Sequence, residues 1–160
     1  MEVPVIAPVE DHRAPRILLV DDHVESVVAG RRLLRALGYD VRVALDGVQA
    51  LITVATFPPD AALIDLSLPL LDGFDVARQM RQIPQTRDAL LIALTGWATE
   101  EHARMARLAG FDLHLVKPVS ADTLSRALAT VRIRPLRPRS TPRVQPRDEV
   151  VPSNADADAE

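Results

Sequence analysis

Four short stretches hold the residues equipped for chemistry. Val20-Asp21-Asp22 follows an apolar run, Asp65 ends a second one, Thr95-Gly96 ends a third, and Lys117-Pro118 closes a fourth, Leu113 to Val116. Lys117 is the single lysine in a chain with eighteen arginines. Where any cation would do, this composition uses Arg, so the lone Lys marks a place that needs a compact point charge and not a planar fork. Three carboxylates brought together repel one another, and either shared protons or a hard divalent cation relieves the repulsion. Mg2+ suits such a set because it takes oxygen ligands in a near-octahedral shell and keeps several waters. Acids alone repel a phosphate; a metal that bridges acid and phosphate reverses the sign. A carboxylate beside Mg2+ can then attack a phosphoryl group and form an acyl phosphate. Lys117 and the Thr95 hydroxyl would bind the other phosphoryl oxygens.

These groups can act together only if the segments carrying them lie side by side. Arg16 to Val20 is a short β-rich run, and Val24 to Leu37 has apolar residues at 24, 27, 28, 34 and 37, a helical spacing that Gly38 stops. Val41 to Leu45 alternates as an edge strand does, Asp46-Gly47 turns the chain, and Val48 to Phe57 reads as a helix stopped by Pro58-Pro59. Ala61 to Ile64 is the third strand, and Asp72-Gly73 opens a helix to about Gln82. Leu90 to Leu94 is the fourth strand; Thr99 to Ala109 follows as a helix with Thr99 as N-cap and Gly110 as its stop. Leu113 to Val116 and then Ser120 to Ile133 complete the series. Strands alternating with helices predict an α/β domain over 16–133, a doubly wound five-stranded parallel sheet with five helices. In such a sheet the carboxyl ends of the strands share one edge, where ligands bind.

The rest of the chain sets limits. At 160 residues, nearly half of them apolar, one domain plus tails is expected. Residues 1–15 carry three prolines and no period, and read as a flexible arm; 134–160 carry five Arg and then five acids and read as a disordered tail. With no cysteine, disulfides, thiolate metal sites and Cys nucleophiles are excluded. No apolar stretch reaches the length of a membrane span, and the N-terminus lacks an uninterrupted apolar signal segment, so a cytoplasmic location is expected. The net charge of −3 favours no polyanionic partner.

Taken in order, Val20-Asp21-Asp22, the stretch Asp65-Leu66-Ser67-Leu68-Pro69-Leu70-Leu71-Asp72-Gly73, Ala93-Leu94-Thr95-Gly96 and Val116-Lys117-Pro118 make the chain resemble the receiver domain of two-component response regulators. The resemblance covers about 16–133 and implies a flavodoxin-like receiver fold. It implies that Asp65 is the phosphoacceptor, that Asp22, Asp65 and the Ser67 backbone carbonyl bind Mg2+ directly, and that Asp21 acts mainly through a metal-bound water. Thr95 and Lys117 would contact the phosphoryl group. The stretch from Ala109 to Val119 is similar to receivers fused to hybrid histidine kinases. A histidine kinase or phosphotransfer protein is then the implied donor, with an unknown protein target downstream. Neither a DNA-binding output domain nor enzymatic turnover beyond self-phosphorylation and self-dephosphorylation is expected, and the expected response surface is helix four, strand five and helix five.

Three positions depart from the commonest receiver pattern. His23 follows the acidic pair and reads as a solvated loop residue. His114 stands where many receivers have a Tyr or Phe that rotates inward, which puts the aromatic relay in doubt. Trp97, the only tryptophan, is either a ring lying on the surface against helix four or a lid over the acyl phosphate. Competing functions are weighed by residue type. A phosphate sink or relay intermediate uses the same chemistry as an output receiver. An aspartyl-phosphate phosphatase would carry a second Asp two residues after the nucleophile, where this chain has Ser67. A nucleotide or flavin domain would need a Gly- or Ser/Thr-rich loop after strand one, where this chain has Asp21-Asp22-His23. The complete acid set speaks against a phosphate-independent scaffold.

Overall fold

A computed structural model describes residues 13–131. The elements are β1 (Arg16–Val20), α1 (Val24–Ala36), β2 (Asp40–Ala44), α2 (Gly47–Thr56), β3 (Ala61–Asp65), α3 (Gly73–Gln82), β4 (Leu90–Thr95), α4 (Glu100–Ala109), β5 (Leu113–Val116) and α5 (Ala121–Leu128). Every strand pair is parallel and the order is β2-β1-β3-β4-β5. The order reverses between β1 and β3, which opens a crevice at their carboxyl ends.

Helices cover both faces of the sheet, so its central strands are apolar at successive positions and do not alternate. Leu18, Val20, Ala62, Ile64, Leu91 and Ala93 face one way, onto Val54 of α2, Val76 and Met80 of α3 and Ala106 of α4. Ile17, Leu19, Ala61, Leu63 and Ile92 face the other, onto Leu34 of α1 and Leu124 and Leu128 of α5. Each fully buried Leu or Ile contributes about 1.5–3 kcal/mol. The edge strands β2 and β5 are only partly covered.

Local signals start and stop the helices. Asp46, Asp72, Thr99 and Ser120 each accept a hydrogen bond from the amide three residues on, at the N-caps of α2, α3, α4 and α5. Such a cap contributes about 1 kcal/mol. Gly110 ends α4 at φ 110, a left-handed conformation that suits glycine. Gly73 has a different role: a Cβ there would lie 2.3 Å from the Asp65 carbonyl oxygen, so only glycine lets α3 begin against the end of β3.

The sequence reading misplaced several boundaries. Asp46 is the cap of α2 and not half of a turn, so the helix starts at Gly47. β2 runs one residue earlier than expected, because Asp40 pairs with Arg16. The helix expected to reach Ile133 ends at Leu128, where Ala129 and Val131 donate to carbonyls three residues back. Thr130-Val131 is β-branched and supports an α-helical continuation poorly; Ile133 lies outside the described residues. Arg13, expected in a loose arm, grips Asp60 through both terminal guanidinium nitrogens at 2.7 and 2.9 Å. Residues 1–12, and the expected tail at 134–160, lie outside the described residues. Among the described residues no helix is long and apolar enough to cross a membrane.

Candidate functional site

The crevice between β1 and β3 gathers the acids. Asp21 directly follows β1, and its backbone N–H still bonds the Ala44 carbonyl at 3.2 Å, which holds it to the sheet. Asp65 is the last residue of β3 and pairs with Leu94. Both carboxylates are nearly inaccessible, with Asp21 3% and Asp65 5% exposed. Asp22 sits one residue further out and is exposed. Asp21, Asp22, His23 and Asp65 each present a ligand atom, all within 4.8 Å of one another.

Lys117 reaches this cluster from the end of β5, the edge strand. Its Nζ donates to Asp21 Oδ2 at 2.8 Å and to Asp65 Oδ2 at 2.7 Å. The residue follows β5 directly, its N–H bonds the Thr95 carbonyl at 2.7 Å, and its bond to Pro118 is cis. An ammonium with three donors can span two carboxylates in this way. Burial by itself pulls the Lys117 pKa down, but its bonds to Asp21 and Asp65 and their charges more than compensate, and the net shift is upward. Burial likewise pushes the Asp21 carboxyl up. The hydrogen bond from Lys117, the His23 amide, the lysine charge and the His23 ring outweigh that, and the net shift is downward.

The other Asp65 oxygen is held locally: Oδ1 accepts the Ser67 N–H at 2.8 Å. Thr95 ends β4, on the strand next to Asp65, and is 2% exposed. Its hydroxyl accepts the Trp97 N–H at 3.1 Å. The Trp97 ring is 61% exposed and stacks on His102 of α4, with centroids 6.2 Å apart and planes 12° from parallel. Of the two readings of Trp97, this geometry is the ring on the surface of α4. His114 lies partly covered on β5, and its Nε2 is buried with no hydrogen-bond partner among the described residues. Burial chiefly, then the charges of His102 and Arg107, lowers its pKa.

The structure thus brings Asp21, Asp22, Asp65 and Lys117 into one cluster, with Ser67 and Thr95 at its edges and Trp97 and His114 apart from it. A divalent cation fits the donor set: three carboxylates converge, and a positive group already bridges two of them. Asp21, Asp22 and Asp65 would hold it.

Two residues gain a place that the sequence reading did not give them. His23 is a solvated loop residue, its side chain 72% exposed, but its Nδ1 also lies 3.3 Å from Asp21 Oδ1 and 3.1 Å from Asp22 Oδ1. Its position beside the acidic pair was the available signal. Arg81 of α3 donates to the carbonyls of Arg87, Ala89 and Gly110 and to the Asp112 carboxylate. It fastens the end of α4 to α3, and no sequence pattern marks it out among eighteen arginines.

Comparison with known proteins agrees with this architecture. The family model of the response regulator receiver domain matches residues 17–129. The response regulator MprA of a Mycobacterium species is 39% identical over 128 residues, covering 79% of this chain and 52% of that protein. The chain spans about half the length of the mycobacterial regulators it matches. The receiver domain of the sensor histidine kinase PA1611 from Pseudomonas aeruginosa was solved with a magnesium ion coordinated in its active-site cleft. It is 34% identical at a TM-score of 0.69, covering 74% of this chain and 98% of that one. The chemotaxis protein CheY4 of Vibrio cholerae superposes at a TM-score of 0.72 with 27% identity, over 75% of this chain and 100% of its own.

Proposed function

This chain belongs to the receiver-domain family of two-component response regulators, and from that premise we propose that Asp65 accepts a phosphoryl group from a histidine kinase or a histidine phosphotransfer protein. The carrying observation is the state of its carboxylate. It ends a fully buried strand, the Ser67 amide fixes one oxygen, and Lys117 holds the other. An Asp65 oxygen attacks phosphorus, the bond from phosphorus to the donor imidazole nitrogen breaks, and an acyl phosphate remains. Lys117 is already at the Asp65 oxygen and needs only to follow the charge onto the new phosphoryl oxygens. The Thr95 hydroxyl, now capping the Trp97 amide, turns toward the same group. Bound Mg2+ would neutralise charge between the acids and the phosphoryl oxygens; Asp21, Asp22, Asp65 and the Ser67 carbonyl are the residues that would carry it.

The response then travels through α4, β5 and α5, because Thr95 leads into α4 and Lys117 into α5. The modified and unmodified forms are two populations that the phosphoryl group biases. The protein acts by accepting and losing phosphate, without turnover of another substrate, from the cytoplasm and through protein contacts. Output, phosphate sink and relay intermediate all use this step.

The test is phosphorylation by acetyl phosphate with and without Mg2+. Wild type should label stoichiometrically and only with the ion. Asp65→Asn should not label while keeping its fold, since the amide is nearly isosteric but a poor nucleophile. Full labelling of that variant would remove Asp65 from the role.

A further inference from the structure

His23 occupies the N-cap of α1, a position where Ser, Thr, Asp or Asn would bond the first free amides. Its side chain makes no such bond. The ring turns instead toward the acids, with Nδ1 3.1 Å from Asp22 Oδ1 and 3.3 Å from Asp21 Oδ1. Its Nδ1 belongs to the same group of ligand atoms, within 4.8 Å of each other, as the three carboxylates.

We propose that the His23 imidazole is a nitrogen ligand in this cation site, which therefore takes borderline transition ions such as Co2+ or Ni2+ more tightly than its oxygens alone would. The inference rests on the proposed cation site and adds a ligand to it. An ion with bonds of about 2.1 Å to nitrogen and carboxylate oxygen sets neighbouring ligands about 3.0 Å apart in an octahedron and about 3.4 Å apart in a tetrahedron. Both separations around Nδ1, 3.1 and 3.3 Å, fall in that interval. Two of the four groups can move inward to close the shell, because Asp22 and His23 side chains are 36% and 72% exposed. With an ion bound, Nδ1 offers its lone pair and the ring proton resides on Nε2.

Ligand chemistry then separates the ions. Mg2+ prefers oxygen and keeps its waters, so it gains little from an imidazole. Ions toward the later end of the first row bind imidazole well. The same site would accordingly accept Mg2+ through its oxygens and hold a later first-row ion more tightly.

The experiment uses Mn2+, Co2+, Ni2+ and Mg2+ separately on the full chain, as wild type, His23→Ala and Asp22→Asn. Pulsed electron resonance of bound Mn2+ should show coupling to a directly bound nitrogen in wild type and none in His23→Ala. Calorimetric affinity for Co2+ and Ni2+ should fall on the order of tenfold in His23→Ala, with Mg2+ affinity nearly unchanged. The exposed position of His23 keeps that variant folded. If wild type shows no nitrogen coupling, or His23→Ala retains it, while Asp22→Asn still abolishes Mn2+ binding, the nitrogen ligand is wrong and the acidic site stands. If no ion binds in an Asp22-dependent way, the inference and the cation site of the proposed function both fall.

Discussion

Lys117→Met removes the charge that joins β1, β3 and β5 while keeping most of the aliphatic stem. The ammonium makes two charge-assisted bonds, to carboxylates whose side chains are 4% and 8% exposed. Removing one partner of a fully buried pair costs about 3–5 kcal/mol, because the orphaned charge stays buried. Lys117 itself is 31% exposed, so water reaches part of the vacated space and the cost drops; about 2.5 kcal/mol is a fair expectation. For a domain of roughly 120 residues that lowers Tm by about 10 °C. The sign with pH is fixed by the two shifts. Asp21 is depressed below 3.8, so its contribution is full above that value and fades as pH falls through the lower folded one. Lys117 is raised above 10.5, so its contribution is full below that value and fades as pH rises past the higher folded one. The gap between wild type and variant should therefore stay flat across the neutral range and close in acid. Thermal unfolding followed by circular dichroism in chelator measures it. Adding Mg2+ to a hundred times its Kd stabilises wild type by about 2.7 kcal/mol. The variant should gain more, since its three acids have lost their internal cation. A variant as stable as wild type in chelator, at every pH, would refute the role of Lys117 as the counterion of the cluster.

Further outcomes follow from single side chains. His114 has a pKa depressed from 6.5, so folding favours its neutral form; stability should be full above 6.5 and fall as pH drops through the folded value. Urea midpoints at neutral and mildly acid pH should converge for His114→Phe. Trp97 fluorescence should respond to a beryllofluoride mimic, because the Thr95 hydroxyl that now accepts the Trp97 N–H must leave it. Its ring lies on α4, so Trp97→Ala should leave the lifetime of the acyl phosphate unchanged; faster decay at unaltered Mg2+ affinity would restore the lid. Arg81→Lys should cost about 2 kcal/mol in equilibrium unfolding, since an ammonium cannot reach the carbonyls and Asp112 in one planar fork. Equal stability would mean that the fork is surplus to α3 packing.

What the sequence made legible follows the range of the interactions. Strand ends were readable because an apolar run that stops at an acid, hydroxyl or lysine combines a burial signal with a chemical one. Parallel topology then carries all four stops to one edge, so Asp21, Asp65, Thr95 and Lys117 could be grouped before any distance was known. Boundaries set by side chain to backbone competition were harder. Asp46 followed by Gly47 has the composition of a turn, and only the Gln49 amide at 2.7 Å makes it a cap. Similarly, nothing in Ser120 to Ile133 breaks a helical period sharply, and the end at Leu128 comes from weak propensity with no stop residue.

His23 and Arg81 were illegible for opposite reasons. Arg81 acts through main-chain carbonyls, which every residue has, so its partners leave no trace in residue types. The place it holds is nonetheless visible afterwards in Gly110, where a Cβ would meet Arg81 Cγ at 2.8 Å. His23 had a legible neighbourhood but an ambiguous duty. A histidine at an N-cap beside two acids is consistent with a solvated ring. What separates the readings is which of two competing neighbours the ring chooses, the free amides of α1 or the carboxylates. Its side chain makes no cap bond to α1, and Nδ1 stands within 3.1 and 3.3 Å of two acidic oxygens, so the ring has taken the carboxylates. Sequence spacing fixes only that both choices were within reach.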